Sequence, residues 1–240
     1  MHLHKLNEYI SQIWDQNLLV RAQDLENGTD ITYRDVIVPW TLENIRKYCP
    51  DDGTLIDIGC GCGYLTSLIF SHGFKRIEGL DISKNSIIYA KNKYPHIKFT
   101  HENILDTSFD KKYDFSTAVM TLNNVSNAEL FFKSLNKILK TDGKALIIIP
   151  HPCFWPVKHI KKDFVSYLLE KSYEIKFSTK GRKDYPANII YFHRPLEKYF
   201  EYINKYGFKI TDINELSEND CKNIPDLIGI VIQKMSNKKL

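Results

Sequence analysis

The sequence predicts an open, doubly wound α/β domain with a mostly parallel sheet. Three observations predict it. From residue 54 onward, short apolar runs alternate with segments of helical period, the pattern produced by right-handed crossovers between parallel strands. The helical segments stop at punctuating residues, Pro95, the KTDG stretch at 140–143 and Gly207, where a helix loses a donor or needs a left-handed residue. Three glycines, Gly59, Gly61 and Gly63, follow the first apolar run, where open α/β sheets gather ligands.

The elements follow in order. LNEYISQIWDQNLLVRAQDL has helical spacing, ENGTD breaks it, and DVIVPWTLENIRKY reads as a second helix with Pro39 near a turn or kink. Residues 1–49 therefore form a helical cap before a domain at 50–240. In that domain TLIDI (54–58) is the first strand and Gly63 to Ser71 a helix. KRIEGL (75–80) is the second strand, followed by a helix from Lys84 to Tyr94. IKFTH (97–101) and YDFSTAVM (113–120) are the third and fourth strands. NAELFFKSLNKIL is an amphipathic helix and KALIIIP (144–150) the fifth strand. After an irregular insertion at about 156–190 come a helix from Pro195 to Tyr206 and two strands, FKITDI and DLIGIVIQKM.

Composition bounds the function. With 240 residues, 43% hydrophobic and 26% charged, the chain reads as one soluble domain with elaborations. No apolar run approaches the ~20 residues of a membrane span, and the N-terminus lacks the apolar core of a signal peptide. Five cysteines at irregular spacing, Cys49, Cys60, Cys62, Cys153 and Cys221, argue against a disulfide framework and suit a reducing cytoplasm. The net charge of +4 is too small to imply nucleic acid. It is concentrated: eight Lys or Arg against four Asp or Glu fall between Pro156 and Tyr185, so the remainder balances.

The glycine loop, TLIDIGCGCGYLT, decides between ligands. A phosphate loop needs Gly-Lys-Ser/Thr, which is missing. A dinucleotide loop places its third glycine one residue later than Gly63. A zinc site needs a second Cys/His pair near Cys60 and Cys62, so no metal is expected. An acidic residue followed by x-G-x-G-x-G, with Asp57 leading, resembles the first motif of class I S-adenosylmethionine-dependent methyltransferases. That resemblance spans most of 50–150 and the last two strands. It implies a Rossmann-like sheet of seven strands, order 3-2-1-4-5-7-6, with the last strand antiparallel.

It also implies a site for S-adenosylmethionine, leaving as S-adenosylhomocysteine. Asp57 would balance the cationic end, directly or through water, and Gly59, Cys60, Gly61 and Gly63 would supply the loop. Asp81, 18 residues after Gly63, would take the ribose hydroxyls. Ile82 would pack on adenine, Asn103 and the Ile104 amide would meet its edge, and Met120 would line the methionine moiety. Tyr33 in the cap would reach the amino-acid end.

HRPLEKYF (193–200) and IIIPHPCFWP (147–156) resemble a branch acting on small molecules, which implies a small-molecule acceptor methylated on N or O. His151, following the fifth strand, and His193, preceding the helix from Pro195, are candidate bases because their ordinary pKa of ~6.5 suits proton removal. Asn123 and Asn124 stand where a nucleophile would be positioned, and Arg194 anchors a loop. The basic, aromatic insertion reads as a lid over an anionic or aromatic acceptor. RNA or protein methylation, and a non-catalytic S-adenosylmethionine-binding protein, are the alternatives. No membrane partner is expected, and monomer and homodimer stay open.

Overall fold

The computed structural model describes residues 3–106, 111–217 and 224–236; Cys221 lies outside them. Two helices precede the sheet. Helix α1 (Leu3–Glu26) is followed by one π-helical turn, Tyr33–Ile37, which runs directly into α2 (Val38–Tyr48). Pro39 lies in the first turn of α2, where a missing amide is tolerated.

The sheet then builds outward. Strand β1 (Leu55–Ile58) pairs in parallel with β2 (Ile77–Asp81) on one side and β4 (Tyr113–Val119) on the other. Helix α3 (Tyr64–Ser71) follows β1, and α4 (Lys84–Lys93) follows β2. Strand β3 (Lys98–His101) extends the edge. Helix α5 (Ala128–Ile138) leads into β5 (Leu139–Pro150), parallel to β4. Beyond a short helix α6 (Trp155–His159), strands β6 (Lys171–Ile175) and β7 (Ile189–His193) pair with each other. Helix α7 (Leu196–Lys205) precedes β8 (Phe208–Leu216) and β9 (Leu227–Lys234). The main sheet has the order β3-β2-β1-β4-β5-β9-β8, with β9 antiparallel to both neighbours. This is the seven-strand order expected, with the β6–β7 pair set apart.

Strand β5 shows how sequence builds both layers. Its side chains alternate, so Ile147 and Ile149 join Phe131, Phe132 and Leu135 of α5 on one face. Leu146 and Ile148 join Ile45 of α2 and Ile69 of α3 on the other. Caps fix where helices leave the strand ends: Ser83 Oγ accepts from Ser86 N, and Asn127 Oδ1 accepts from Leu130 N.

Two boundaries differ from the sequence reading. Strand β5 begins at Leu139, which pairs with Tyr113, before an excursion with Asp142 at φ 62° returns to pairing at Lys144. The turn residues of KTDG make that bulge rather than a loop between elements. Residues 189–193 form a strand rather than the irregular end of an insertion. Their partner lies 14 or more residues upstream, across a run without hairpin-turn spacing.

Candidate active site

A cavity of about 780 Å³ opens at the carboxyl ends of β1, β2, β3 and β4. Its floor is the glycine loop. Gly59 donates to Leu80 O at 2.7 Å and has φ 73°, and a Cβ there would fall 2.2 Å from Thr121 Oγ1. Only glycine combines that backbone with that approach. Gly61, at φ 53°, would point a Cβ into open space, so its backbone presents a bare cradle. Gly63 is the N-cap of α3, which leaves free helix N–H groups near the loop.

Asp81, at the tip of β2, organises the loop. One carboxylate oxygen accepts from Gly61 N at 2.8 Å, the other from Ser83 N at 2.7 Å. Burial still pushes its pKa up, with those amides opposing. Asp81 lines the cavity together with Ile82, Asn103 and Ile104. Asn103 Oδ1 also accepts from Leu105 N, and Asn103 Nδ2 donates to Asp106, so a turn holds this amide in place.

Asp57 is set differently from the sequence expectation. It is 2% exposed and does not line the cavity. Its two oxygens accept from Thr66 Oγ1 and Thr117 Oγ1, both at 2.7 Å. Burial pushes its pKa up to about 6, although both hydroxyls pull the other way. With its oxygens sequestered, Asp57 acts on the cavity through its field beneath the glycine loop.

At the tip of β4 the backbone is strained. Met120 is a non-glycine residue at φ 54°, an arrangement that costs about 1–2 kcal/mol and is retained where surroundings enforce it. Asn124 Nδ2 donates to Met120 O at 3.0 Å. That bond fixes the amide and leaves Asn124 Oδ1 as a buried acceptor without a partner. Asn123 Oδ1 is unpartnered too, in a residue only 4% exposed, and both asparagines line the cavity. Two orphan acceptors side by side call for a ligand that brings N–H or O–H donors.

The roof comes from the cap and the insertion. Ile10, Trp14, Leu18, Arg21 and Leu25 of α1 all line the cavity, on one helical stripe. Trp14 meets Phe177 edge-on at 5.4 Å. Asp24, buried at the back of α1, accepts from Tyr185 Oη at 2.6 Å and Arg182 Nε at 2.8 Å. Burial alone would raise its pKa; Tyr185 and Arg182 hold it below the ordinary value. Asn17, fully buried, exchanges two bonds with the Ala187 backbone. Cap and insertion are thus clasped together.

Tyr33 lines the cavity, and Arg21 lies 5.2 Å from its ring while pairing with Asp30 at 2.5 Å. Sequence reasoning missed Arg21; the available signal was a cation on the apolar stripe of α1. It also missed the aromatic wall, in which Trp155 stacks on His159 at 4.6 Å and meets Tyr191 at 4.8 Å.

The two candidate bases do not reach the cavity. His151 Nδ1 accepts from Cys153 N, so its Nε2 carries the proton and donates to Glu215 at 3.0 Å. His193 Nε2 donates to Tyr167 O at 2.8 Å. Both are buried and neither lines the cavity. Burial lowers both pKa values, which suits neutral structural imidazoles. Arg194 anchors as expected, donating to Leu122 O and Val125 O. Among the described residues no cluster of metal-binding side chains occurs, and no helix is long and apolar enough to cross a membrane.

A family model described as a methyltransferase domain matches residues 33–211. The chain belongs to the methyltransferase-domain family. The expectation of a class I S-adenosylmethionine-dependent methyltransferase thus holds at the level of family and fold. The chain is 28% identical over 183 residues to the mitochondrial ubiquinone biosynthesis O-methyltransferase of Dictyostelium discoideum, covering 69% of this chain and 52% of that one. It is 25% identical over 173 residues to the ubiquinone biosynthesis O-methyltransferase of Rickettsia conorii, covering 70% and 55%. It therefore spans about half the length of these curated relatives. A crystal structure of an S-adenosylmethionine-dependent methyltransferase from Clostridium acetobutylicum superposes with a TM-score of 0.66 at 14% identity, covering 91% of this chain and 98% of that one, which shows the shared fold.

Proposed function

We propose that this methyltransferase takes S-adenosylmethionine as donor and methylates an N or O atom of a small molecule enclosed beneath the roof. The observation that carries the reading is the pair of orphan asparagine oxygens at the strained β4 tip, inside a cavity that the chain roofs with its own cap. The floor suits this donor. Asp81 and the underlying Asp57 make it electronegative, which disfavours a pyrophosphate and favours a cation.

In this reading Asp81 accepts from the ribose hydroxyls, and Ile82 and Ile104 pack on the adenine. Asn103 and the Ile104 amide meet the ring edge. Gly59, Cys60 and Gly61 offer backbone to the methionine portion beside Met120, and Arg21 and Tyr33 take its carboxylate. The bound donor supplies an electrophilic methyl group on a sulfonium, which needs no leaving-group acid. Asn123 and Asn124 accept from the acceptor's N–H or O–H and turn its lone pair toward that methyl, alignment being worth about 7 kcal/mol or more. The roof excludes water.

Among the described residues His159 is the one histidine lining the cavity. Burial lowers its pKa, so the neutral ring is ready to take the acceptor's proton. The test begins with calorimetry using S-adenosylmethionine and S-adenosylhomocysteine, then labelled-methyl transfer to a metabolite extract and to total RNA. A labelled small molecule supports the reading; label confined to RNA or protein, or no donor binding, sinks it. With an acceptor in hand, His159→Gln should lower turnover at neutral pH roughly 100-fold for a hydroxyl acceptor.

A further inference from the structure

We propose that the turn at 179–182 of the insertion closes over the amino-acid end of S-adenosylmethionine, with the Thr179 hydroxyl giving a hydrogen bond to its carboxylate. The inference deepens the reading above and rests on its choice of methyl donor.

Among the described residues, three side chains that line the cavity carry a buried polar atom with no partner: Asn123, Asn124 and Thr179. The asparagines belong to the β4 tip, beside the reacting methyl. Thr179 belongs to the insertion, and its backbone is already committed. Thr179 N donates to Arg182 O at 2.8 Å, and Arg182 N donates to Thr179 O at 3.3 Å. Only the hydroxyl is left unmatched. A buried hydroxyl without a partner is costly, and a ligand in the cavity would complete it.

The surroundings of the turn name the group it meets. Gly181 packs so closely on the cap that a Cβ there would fall 2.3 Å from Thr29 O. Arg182 Nε donates to Asp24, and the Phe177 ring lies 5.8 Å from the Arg21 guanidinium. The Tyr185 hydroxyl stands beside Arg21 as well as Asp24. Residues 177–185 therefore border Arg21, the cation assigned to the carboxylate of S-adenosylmethionine. Arg21 is already paired with Asp30, so its charge is matched before the ligand arrives. A second carboxylate there needs a further hydrogen-bonding group that adds no negative charge. Thr179 supplies a neutral hydroxyl, and its bond to a carboxylate is charge-assisted. Because Arg182 on Asp24 holds the turn down, S-adenosylmethionine enters with the turn lifted, and its bound carboxylate then favours the closed form.

The test is calorimetry of the full chain with S-adenosylmethionine, S-adenosylhomocysteine and 5′-methylthioadenosine, which keeps the nucleoside and lacks the amino-acid end. Thr179→Val should weaken the first two roughly tenfold and leave the third unchanged, and Thr179→Ser should keep parental affinities. In limited trypsin digestion of the parent, S-adenosylhomocysteine should slow cleavage at Lys180, Arg182 and Lys183, and 5′-methylthioadenosine should not. Unchanged affinities in Thr179→Val overturn the inference. So does an equal loss for all three ligands, which would make the turn a structural support, or equal protection by both ligands in the digestion. Each of these leaves the choice of methyl donor standing. A parent that binds neither S-adenosylmethionine nor S-adenosylhomocysteine sinks that choice and this inference together.

Discussion

The cavity's floor is made of strand ends fixed by backbone hydrogen bonds, whereas its roof is two separate segments fixed by a few buried side chains. On the floor, Gly59 and Cys60 both donate to Leu80 O, Gly61 to Asp81, and Met120 to Ile148 O. In the roof, α1 and the insertion meet through Asp24, Asn17 and the Trp14–Phe177 contact. The difference implies that floor changes should strike donor affinity, and roof changes should strike stability and enclosure.

The largest effect that sharpens this contrast is Asp81→Ala. It removes the ribose acceptor and frees the Gly61 and Ser83 amides, so donor affinity by calorimetry should fall roughly 100-fold or more. Affinity within a few-fold of the parent would deny Asp81 its role and blur the division. Asp24→Ala acts on the roof. It strands the buried Tyr185 hydroxyl and releases Arg182, so urea unfolding should report a loss of roughly 3 kcal/mol, with far less effect on donor affinity than Asp81→Ala. Equal losses of donor affinity would mean that floor and roof are one unit.

Asp57 offers a pH test of the floor. Its pKa in the folded chain, about 6, lies above the ordinary 3.8, so folding favours the protonated form. The stability it contributes is complete below about 3.8 and is lost as pH rises through about 6. Asp57→Asn should therefore gain stability relative to the parent across that window and then level off, by roughly 3 kcal/mol at most. Donor binding at higher pH should weaken in the same variant. A stability difference independent of pH would show that Asp57 is ionised throughout.

The smallest expected effects are those of His151→Gln and His193→Gln, which should leave turnover at saturating donor within about threefold. A loss beyond tenfold in either would mean that the reacting atoms sit elsewhere than beside Asn123 and Asn124.

The floor was legible in the sequence because each of its parts is local. Glycines at alternate positions, an acid at a strand tip and a cap after it are read from a few adjacent residues, and Gly59, Gly61, Asp81, Ile82, Asn103, Ile104 and Met120 all line the cavity. The roof was not, because its bonds join distant residues, with Asp24 meeting Tyr185 across 161 positions. His151 follows the fifth strand, as the sequence suggested, and His193 ends a strand that the sequence did not suggest, but placement along the chain says nothing of side-chain direction. The β6–β7 pair turns His193 to Tyr167. Asp57 was found, but two threonines nine and sixty residues away decide that it faces inward.

The clasp on Asp24 and Asn17 bears on transplantation. A graft that exchanges the insertion with that of another member of the family would leave a buried carboxylate and a buried amide facing strangers. The first helix and residues 177–187 make one module, and recombination that respects it must carry both pieces together.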